Sequence, residues 1–253
     1  MPNRFTDYLT TRLGKIVDRL LCNWFNERRP VDYERLAYLV AAQQSADFFV
    51  ANMRLAHNLI GKRELLEFAL GEVDAPGLWL EFGVARGKDI RAIAGSCPHT
   101  VYGFDSFLGL PEDWTHFQRQ GRFSTGGHLP AGLPENVMIL KGLFEDTLPS
   151  FLHEHPEKIA FLHLDSDLYS STRQVLGLLH GRLQPGTIIL FDDFMNYPGW
   201  LEGEAKAWFE CVAEHAIEFR YIGFASRHHS VAIRICAAER ANTFETILGA
   251  SSV

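Results

Sequence analysis

The sequence has few cysteines, and they are scattered along the chain. Among its 253 residues there are four cysteines, and no two of them form a C-x-x-C pair. This pattern excludes a disulfide framework and argues against a cysteine zinc site, so we expect reduced thiols and a cytoplasmic protein. The four are Cys22, Cys97, Cys211 and Cys236.

Long blocks of basic or apolar residues are also missing. The formal net charge is −7 at pH 7, so nucleic acid is a poor partner for this chain. No apolar run approaches the roughly 18 residues that a membrane span needs. The first residues lack the apolar core and the small-residue cleavage site of a signal peptide, so we expect none.

Residues 1–75 are predicted to form a helical N-terminal extension. Apolar residues recur at helical spacing from Leu9 to Phe25, with basic residues between them, which predicts an amphipathic helix. Such a helix packs on its own domain or on a second subunit, or it lies on a membrane surface. We expect packing and a homo-oligomer. Two more helices are predicted, at about residues 34–60 and Lys62–Gly71.

Residues 76–253 are predicted to form one α/β domain. Short apolar runs alternate with helical stretches, which indicates a doubly wound, mainly parallel, seven-stranded sheet covered on both faces. No clear helix separates the last two runs, which predicts an antiparallel pair at one edge. The strand candidates are Leu78–Phe82, Thr100–Phe104, Val137–Leu140, Ala160–Leu164, Thr187–Phe191, Glu218–Ile222 and Ser230–Ile235, and the helix candidates are Lys88–Gly95, Pro149–His155, Ser171–Leu183 and Glu202–His215.

One connection in this domain is unusually long. Residues 106–136 separate two predicted strands without an obvious element of their own, and loops of this length are usually functional or disordered. The segment holds Trp114, Phe117 and Phe123 among several glycines. It is predicted to close over an apolar ligand, and a purely structural decoration is the alternative.

Two acidic pairs follow two successive buried strands. Asp165 and Asp167 end one apolar run, and Asp192 and Asp193 end the next. Neighbouring strands lie about 4.8 Å apart, so these carboxylates can converge on one cation that prefers oxygen ligands. Crowded carboxylates persist where a cation or a reacting proton uses them. The alternative for these acidic residues is an ordinary strand-to-helix turn. His163, in the apolar run before Asp165, is the nearest residue that could bind a softer metal, but we expect it to lie in the core.

The first predicted strand runs into the segment Glu81–Gly87. Gly83 allows a sharp turn after the strand, and Gly87 lets the next helix approach with its N–H groups toward a ligand. Asp105, at the end of the second strand, can accept hydrogen bonds from ribose hydroxyls or act as a turn residue. Phe144 can pack on an adenine ring or in the core. Together these features predict a ligand that contains adenosine.

The order of these segments resembles that of class I S-adenosylmethionine-dependent methyltransferases. The likeness is greatest to the macrocin O-methyltransferase family, which methylates sugar hydroxyls in antibiotic biosynthesis. It covers about residues 76–236 and, more weakly, the helical N-terminus. The segments that carry it are Glu81–Gly87, Phe104–Pro111, Gly142–Pro149, Leu164–Thr172 and Ile189–Phe194, with D-S-F-x-G-L-P and D-x-D-L-Y-x-S-T as the specific parts.

The resemblance implies a Rossmann-like methyltransferase fold. It implies an S-adenosylmethionine-dependent O-methyltransferase, assisted by a divalent cation such as Mg²⁺, that acts on a hydroxyl of a small metabolite. The acceptor would most often be a sugar of a secondary metabolite. The resemblance assigns the cation to Asp165, Asp192 and Asp193, and general-base catalysis to Asp167. The cofactor-binding residues that it implies are Glu81, Gly83, Val84, Ala85, Gly87, Asp105, Ser106, Phe144 and Asp165.

Three other classes of protein use parts of this pattern. A metal-dependent glycosyltransferase uses a D-x-D pair, but it leaves Glu81–Gly87 and Asp105 without a shared role. A phosphatase of the haloacid-dehalogenase type expects its D-x-D near the start of the catalytic domain. A non-catalytic methyltransferase-like scaffold would not need the full set of acids.

Overall fold

The computed structural model describes residues 32–115 and 117–237. The predicted amphipathic helix at residues 9–25 lies outside the described residues. Within the described ranges, six α-helices accompany one mixed sheet of eight strands. None of these helices is both long enough and apolar enough to cross a membrane.

The chain divides into two compact units, residues 1–40 and residues 41–253. Helix α1 (Tyr33–Asn52) starts in the first unit, where Asp32 Oδ1 accepts a hydrogen bond of 3.1 Å from the backbone N–H of Arg35. The second unit contains the rest of this helix, the sheet and the other helices. The domain boundary after residue 75 stays a prediction.

The strands are labelled in chain order. They are β1 (His57–Leu59), β2 (Leu78–Phe82), β3 (Val101–Asp105), β4 (Val137–Lys141), β5 (Ile159–Leu164), β6 (Ile188–Phe191), β7 (Phe219–Ala225) and β8 (Val231–Ile235). The helices after α1 are α2 (Lys62–Gly71), α3 (Lys88–Ser96), α4 (Phe144–Glu154), α5 (Tyr169–Leu179) and α6 (Glu204–His215), and two short 3₁₀ turns are His180–Arg182 and Trp200–Glu202.

The sheet has the strand order β1-β7-β8-β6-β5-β2-β3-β4. Strand β8 runs antiparallel to β6 and β7, and the other pairs are parallel. The predicted α/β class and mainly parallel, doubly wound sheet are confirmed, with all seven predicted strands in place. The antiparallel pair is not at the edge, because β1 adds a parallel strand outside β7.

Two predicted helices have different bounds in the structure. The helix predicted to continue to residue 60 ends at Asn52, and His57–Leu59 instead pairs with Gly223–Ala225. That pairing gives hydrogen-bond partners to backbone N–H and C=O groups on the outer edge of β7, which would otherwise be unpaired there. Helix α4 begins at Phe144 and includes Pro149 in its interior, whereas the proline was predicted to stand at its start.

Apolar side chains cover both faces of the sheet. The ring of Phe82 stacks on Phe104 on one face, with centroids 4.6 Å apart. Trp79 contacts Phe161 on the other face, at 5.4 Å. Every residue of β5 is buried, which is typical of a central parallel strand.

The parallel register brings four strand ends to the same edge of the sheet. Phe82 pairs with both Phe104 and Leu164, and Leu164 pairs with Phe191. The residues that follow these positions therefore form one row along the carboxyl edge, where open α/β sheets bind ligands. This row consists of Gly83, Asp105, Asp165 and Asp192.

Candidate active site

A cavity of about 940 Å³ lies at the carboxyl ends of the central strands. Its lining includes the catalytic and cation-binding residues predicted from the sequence, and the cofactor-binding residues apart from Gly87. The predicted residues that line it are Glu81, Gly83, Val84, Ala85, Asp105, Ser106, Phe144, Asp165, Asp167, Asp192 and Asp193.

The turn after β2 requires glycine at position 83. Gly83 has a φ of +94°, and a Cβ placed there would fall 1.8 Å from the carbonyl oxygen of Asp165. A side chain would therefore push apart the ends of β2 and β5. The close approach leaves bare backbone facing the cavity, as a nucleotide or nucleoside cradle needs.

Asp105 connects two loops around the cavity. Its Oδ2 accepts a hydrogen bond of 2.7 Å from the backbone N–H of Ala85, and its Oδ1 accepts one of 2.6 Å from Phe107. A carboxylate has about four lone-pair sites, so both oxygens can still accept hydrogen bonds from a ligand. Asp105 therefore stabilises the turns on either side of it, which was the alternative prediction for this residue, and it also lines the cavity.

Glu81 and His163 form a buried pair beneath the cavity. Glu81 Oε1 lies 3.0 Å from His163 Nδ1, and both side chains are almost completely buried. Glu81 Oε2 has no hydrogen-bond partner among the described residues. Burial raises the pKa of Glu81 to about 7, against the opposing effect of His163. Glu81 is also one of the residues that line the cavity, and a buried carboxylate oxygen that lacks a donor suits an N–H or ammonium group.

The acidic residues form two overlapping groups, within each of which the ligand atoms lie within 4.8 Å of one another. Asp165, Asp167 and Asp193 make up one group, and Asp165, Asp192 and His163 make up the other. The predicted ligands Asp165 and Asp193 are therefore close together in one group, and Asp165 and Asp192 are close together in the other. The assignment of all three to one cation stays a prediction.

Asp167 occupies a strained and crowded position. It has a φ of +61°, in the left-handed region that few non-glycine residues adopt. Burial raises the pKa of Asp167 to about 10, and the carboxylates of Asp193, Asp165 and Glu204 contribute to the increase. Strained residues that the surrounding structure holds in place are common at active sites.

Glu204 is a buried residue that the sequence analysis did not identify. It opens α6 with no exposed surface. Its Oε1 accepts a hydrogen bond of 3.3 Å from the backbone N–H of Ser166, and its Oε2 accepts one of 3.2 Å from that of Asp193. It therefore joins the two acidic turns. Nothing in its sequence context distinguishes it from an exposed glutamate in a first helical turn.

His229 was also missed, and it contacts the acidic cluster from the β7–β8 hairpin. Its Nδ1 lies 3.0 Å from Asp193 Oδ1, and the hydroxyl of Tyr197 donates to the backbone oxygen of Asp193 at 3.1 Å. These two contacts fix the orientation of Asp193. Both partners lie in loops, where sequence periodicity gives no signal.

Lys62 is the third residue that the sequence did not reveal. Its Nζ lies 2.9 Å from Asp89 Oδ2, 3.0 Å from Asp165 Oδ2 and 2.8 Å from Asp192 Oδ2. Burial alone lowers the pKa of Lys62, but these carboxylates raise it well above its ordinary value. The lysine therefore brings a fixed positive charge into the acidic cluster.

The long segment of residues 106–136 forms one wall of the cavity. Trp114, Gln118 and Phe123 line it, whereas Phe117 is exposed. The backbone N–H of Leu110 donates a hydrogen bond of 2.9 Å to the carbonyl oxygen of Arg122, and the N–H of Gly121 donates one of 2.9 Å to the carbonyl oxygen of Leu110, which holds the two ends of this stretch together. The wall combines aromatic rings with polar groups.

The residues present fit both groups that the resemblance implies. Carboxylate oxygens are the ligands that Mg²⁺ prefers, and Asp167 and Asp193 add carboxyl groups to the cluster beyond those that Lys62 contacts. Three features fit S-adenosylmethionine. The turn at Gly83 has no side chain, so the cofactor can approach the backbone closely. The lone pairs of Asp105 can accept hydrogen bonds from hydroxyl groups, and the unpartnered oxygen of Glu81 can accept one from an ammonium group.

Residues 131–218 match the family model described as Macrocin-O-methyltransferase (TylF), which confirms the resemblance inferred from the sequence. Over 168 residues, 55% of this chain, it is 32% identical to the 8-demethyl-8-(2,3-dimethoxy-alpha-L-rhamnosyl)-tetracenomycin-C 4'-O-methyltransferase of Streptomyces olivaceus. Over 62% of this chain it is 29% identical to the mycinamicin III 3''-O-methyltransferase of Micromonospora griseorubida. The matched region spans 63% of the length of the first relative and 72% of the length of the second.

Solved structures show the same fold. The crystal structure of a calicheamicin methyltransferase is similar with a TM-score of 0.56 and 22% identity, over 81% of this chain and 94% of that one. The O-methyltransferase NovP is similar with a TM-score of 0.54 and 24% identity, over 81% of this chain and 98% of that one. The chain therefore has a methyltransferase fold.

Proposed function

We propose that this chain, which resembles the macrocin O-methyltransferase family, transfers a methyl group from S-adenosylmethionine to a sugar hydroxyl of a secondary metabolite. One observation carries the proposal: the glycine turn, Asp105 and the acidic cluster all face one cavity at the carboxyl edge of the sheet. The family match and the relatives, which are named as O-methyltransferases, support it.

The cofactor would lie along the row of strand ends. S-adenosylmethionine, when bound, supplies an electrophilic methyl group. Glu81, with its unpartnered buried oxygen, is suited to accept a hydrogen bond from the amino group. Asp105 is suited to accept hydrogen bonds from the ribose hydroxyls. The remaining cofactor-binding residues in the proposal are Gly83, Val84, Ala85, Gly87, Ser106, Phe144 and Asp165.

Proton removal from the acceptor hydroxyl falls to Asp167. We assign the divalent cation to the predicted ligands Asp165, Asp192 and Asp193, of which Asp165 and Asp193 lie together with Asp167. A bound cation would lower the pKa of the acceptor hydroxyl and offset the charge that raises the pKa of Asp167. The ionised Asp167 carboxylate then takes the hydroxyl proton, a role typically worth about 10²–10⁴-fold in rate.

The acceptor would bind against the wall formed by residues 106–136. Trp114 and Phe123 offer apolar faces, and Gln118 and Glu112 offer polar groups, all on the cavity side. A sugar ring has apolar faces and hydroxyl edges, so this mixture suits it. The same wall excludes water from the transferred methyl group. The predicted homo-oligomer stays a prediction.

Thermal unfolding with S-adenosylhomocysteine, with and without Mg²⁺, tests the proposal. A ligand at 100 times its Kd adds about 2.7 kcal/mol, so we expect Tm to rise by about 5 °C or more. A rise with a nucleotide sugar but none with S-adenosylhomocysteine would instead indicate the glycosyltransferase.

A further inference from the structure

The carboxylate of Glu204 is completely buried, and its hydrogen-bond partners are all neutral groups. Two are main-chain N–H groups, and the third is the hydroxyl of Thr172, which lies 3.4 Å from Oε1. Within the described part of the chain, no lysine, arginine or histidine donates a hydrogen bond to it. Burying a carboxylate without a basic partner is costly, so this side chain needs a role that offsets the cost.

Each of the two acidic turns directs one main-chain N–H group to this carboxylate. After β5, the N–H of Asp165 still donates to the carbonyl oxygen of a sheet neighbour, at 2.9 Å, and the next N–H, that of Ser166, donates to Glu204 Oε1 at 3.3 Å. After β6, the N–H of Asp192 still donates to a sheet neighbour, at 2.8 Å. The next N–H, that of Asp193, donates to Glu204 Oε2 at 3.2 Å. In both strands, the first N–H beyond the sheet hydrogen bonds is therefore accepted by the same carboxylate.

This link lies directly beyond the last paired residues of β5 and β6. Leu164 pairs with Phe191, and Ser166 and Asp193 each follow two residues later. A buried N–H group needs an acceptor, and here one rigid carboxylate supplies it on both sides. Glu204 therefore fixes the distance between the two turns at the point where the sheet no longer does.

The spacing of these turns determines the spacing of the assigned cation ligands. Asp165 immediately precedes Ser166, and Asp192 and Asp193 form the other turn. Mg²⁺ requires nearly ideal octahedral geometry, with ligands at about 2.0–2.1 Å. Groups that bind a metal must be held close to their productive positions by the residues behind them.

We propose that Glu204 is a positioning residue that accepts one main-chain N–H from each acidic turn and so sets the spacing at which Asp165, Asp192 and Asp193 bind the divalent cation. Glu204 is not among the residues that line the cavity, so it acts through the two turns and touches neither cation nor substrate. The inference rests on the proposed function, because the cation is part of it.

Two substitutions of Glu204 separate its reach from its charge. Glu204→Gln keeps the shape but has one acceptor oxygen, so in either orientation one main-chain N–H faces an amide N–H. Glu204→Asp keeps the charge but is one methylene shorter, so it cannot reach both turns. We expect each to weaken the binding of Mn²⁺, used as a paramagnetic substitute for Mg²⁺, at least about tenfold. A role through charge alone would leave Glu204→Asp with wild-type affinity.

Mn²⁺ binding is measured by electron paramagnetic resonance with S-adenosylhomocysteine present. The spectrum of the bound Mn²⁺ should also change in both variants, because it reports the geometry of the ligands, which a loss of stability alone would not alter. The Kd for S-adenosylhomocysteine, measured by calorimetry, should stay within about threefold, because Glu204 does not line the cavity. This second value also shows that the variants are folded.

Glu202→Gln is the matched control. Glu202 lies two residues before Glu204, but its side chain is 75% exposed and pairs with Lys206 at 2.6 Å. The same substitution there should leave the affinity for Mn²⁺, the spectrum and the affinity for S-adenosylhomocysteine unchanged.

Hydrogen exchange in the wild type gives a test that needs no variant. One buried carboxylate protects the amides of both Ser166 and Asp193, so nuclear magnetic resonance should show slow exchange at both, with rates within about tenfold of each other. Rapid exchange at either amide would overturn the proposal.

The proposal is also wrong if a Glu204→Gln variant that binds S-adenosylhomocysteine keeps its affinity for Mn²⁺, or if Glu204→Asp does. If the wild type binds S-adenosylhomocysteine but no Mn²⁺, this inference fails and the methyl-transfer proposal stands. If it binds neither, the proposed function fails as well.

Discussion

At the scale of single residues, Asp167 is the side chain on which proton transfer depends. We expect Asp167→Asn to lower kcat by about 10²–10⁴-fold, because an amide cannot take the proton. Its affinity for S-adenosylhomocysteine should stay within about threefold, since asparagine also tolerates the left-handed backbone found there. Mass spectrometry of the methylated product and calorimetry of the bound nucleoside measure the two effects.

The matched control for this residue is Asp47→Asn. Asp47 accepts a hydrogen bond from Gln43 on the exposed part of α1 and does not line the cavity. Its substitution should leave kcat unchanged. If Asp167→Asn keeps full activity, another group takes the proton, and His229, which contacts Asp193, would be the next residue to substitute.

Site residues whose position follows from a strand end were predictable from the sequence, whereas those that reach the site through tertiary contacts were not. Asp105, Asp165 and Asp192 each stand at the end of an apolar run, and the parallel register brings such positions together. Lys62 lies 103 residues before Asp165, at the start of a helix in a different region of the chain. No local pattern distinguishes a lysine that folds onto three carboxylates from an exposed one.

At the scale of elements, the turn between β2 and α3 leaves no room for a side chain at Gly83. Gly83→Ala would place a methyl group 1.8 Å from the Asp165 carbonyl, on a backbone with a φ of +94°. We expect a loss of at least about 2 kcal/mol in unfolding free energy and weaker binding of S-adenosylhomocysteine. Urea denaturation and calorimetry measure these effects.

Gly95→Ala is the control for the turn substitution. Gly95 lies inside α3, and among the described residues no atom beyond its chain neighbours and its own helix backbone lies within 4 Å of the Cβ that alanine would add. Alanine favours the helix over glycine by up to about 1 kcal/mol, so this variant should be slightly more stable. Equal stability of the two variants would mean that the turn can relax away from β5.

The elements themselves were largely predictable, because their signals are local. Alternating apolar runs and helical periodicity located all seven strands of the predicted sheet within a few residues. The exception is β1, where three residues pair with the edge of β7. A strand of three residues is too short to show the alternation of apolar and polar residues that marks a strand. Its structure depends on a partner about 165 residues further along the chain.

At the scale of the whole molecule, the acidic cluster links catalysis to stability. Asp165, Asp167, Asp192 and Asp193 converge with Glu204 at one edge of the sheet, and Lys62 supplies one compensating charge. Removal of a bound cation with EDTA should therefore abolish turnover and lower Tm, by about 2–4 °C for each 1 kcal/mol lost. Adding Mg²⁺ back should restore both. In Asp193→Asn the response of Tm to Mg²⁺ should be much smaller, because one of the assigned ligands is lost. Full activity after EDTA treatment would remove the cation from the mechanism, and Asp167 would then have to lose its proton by other means.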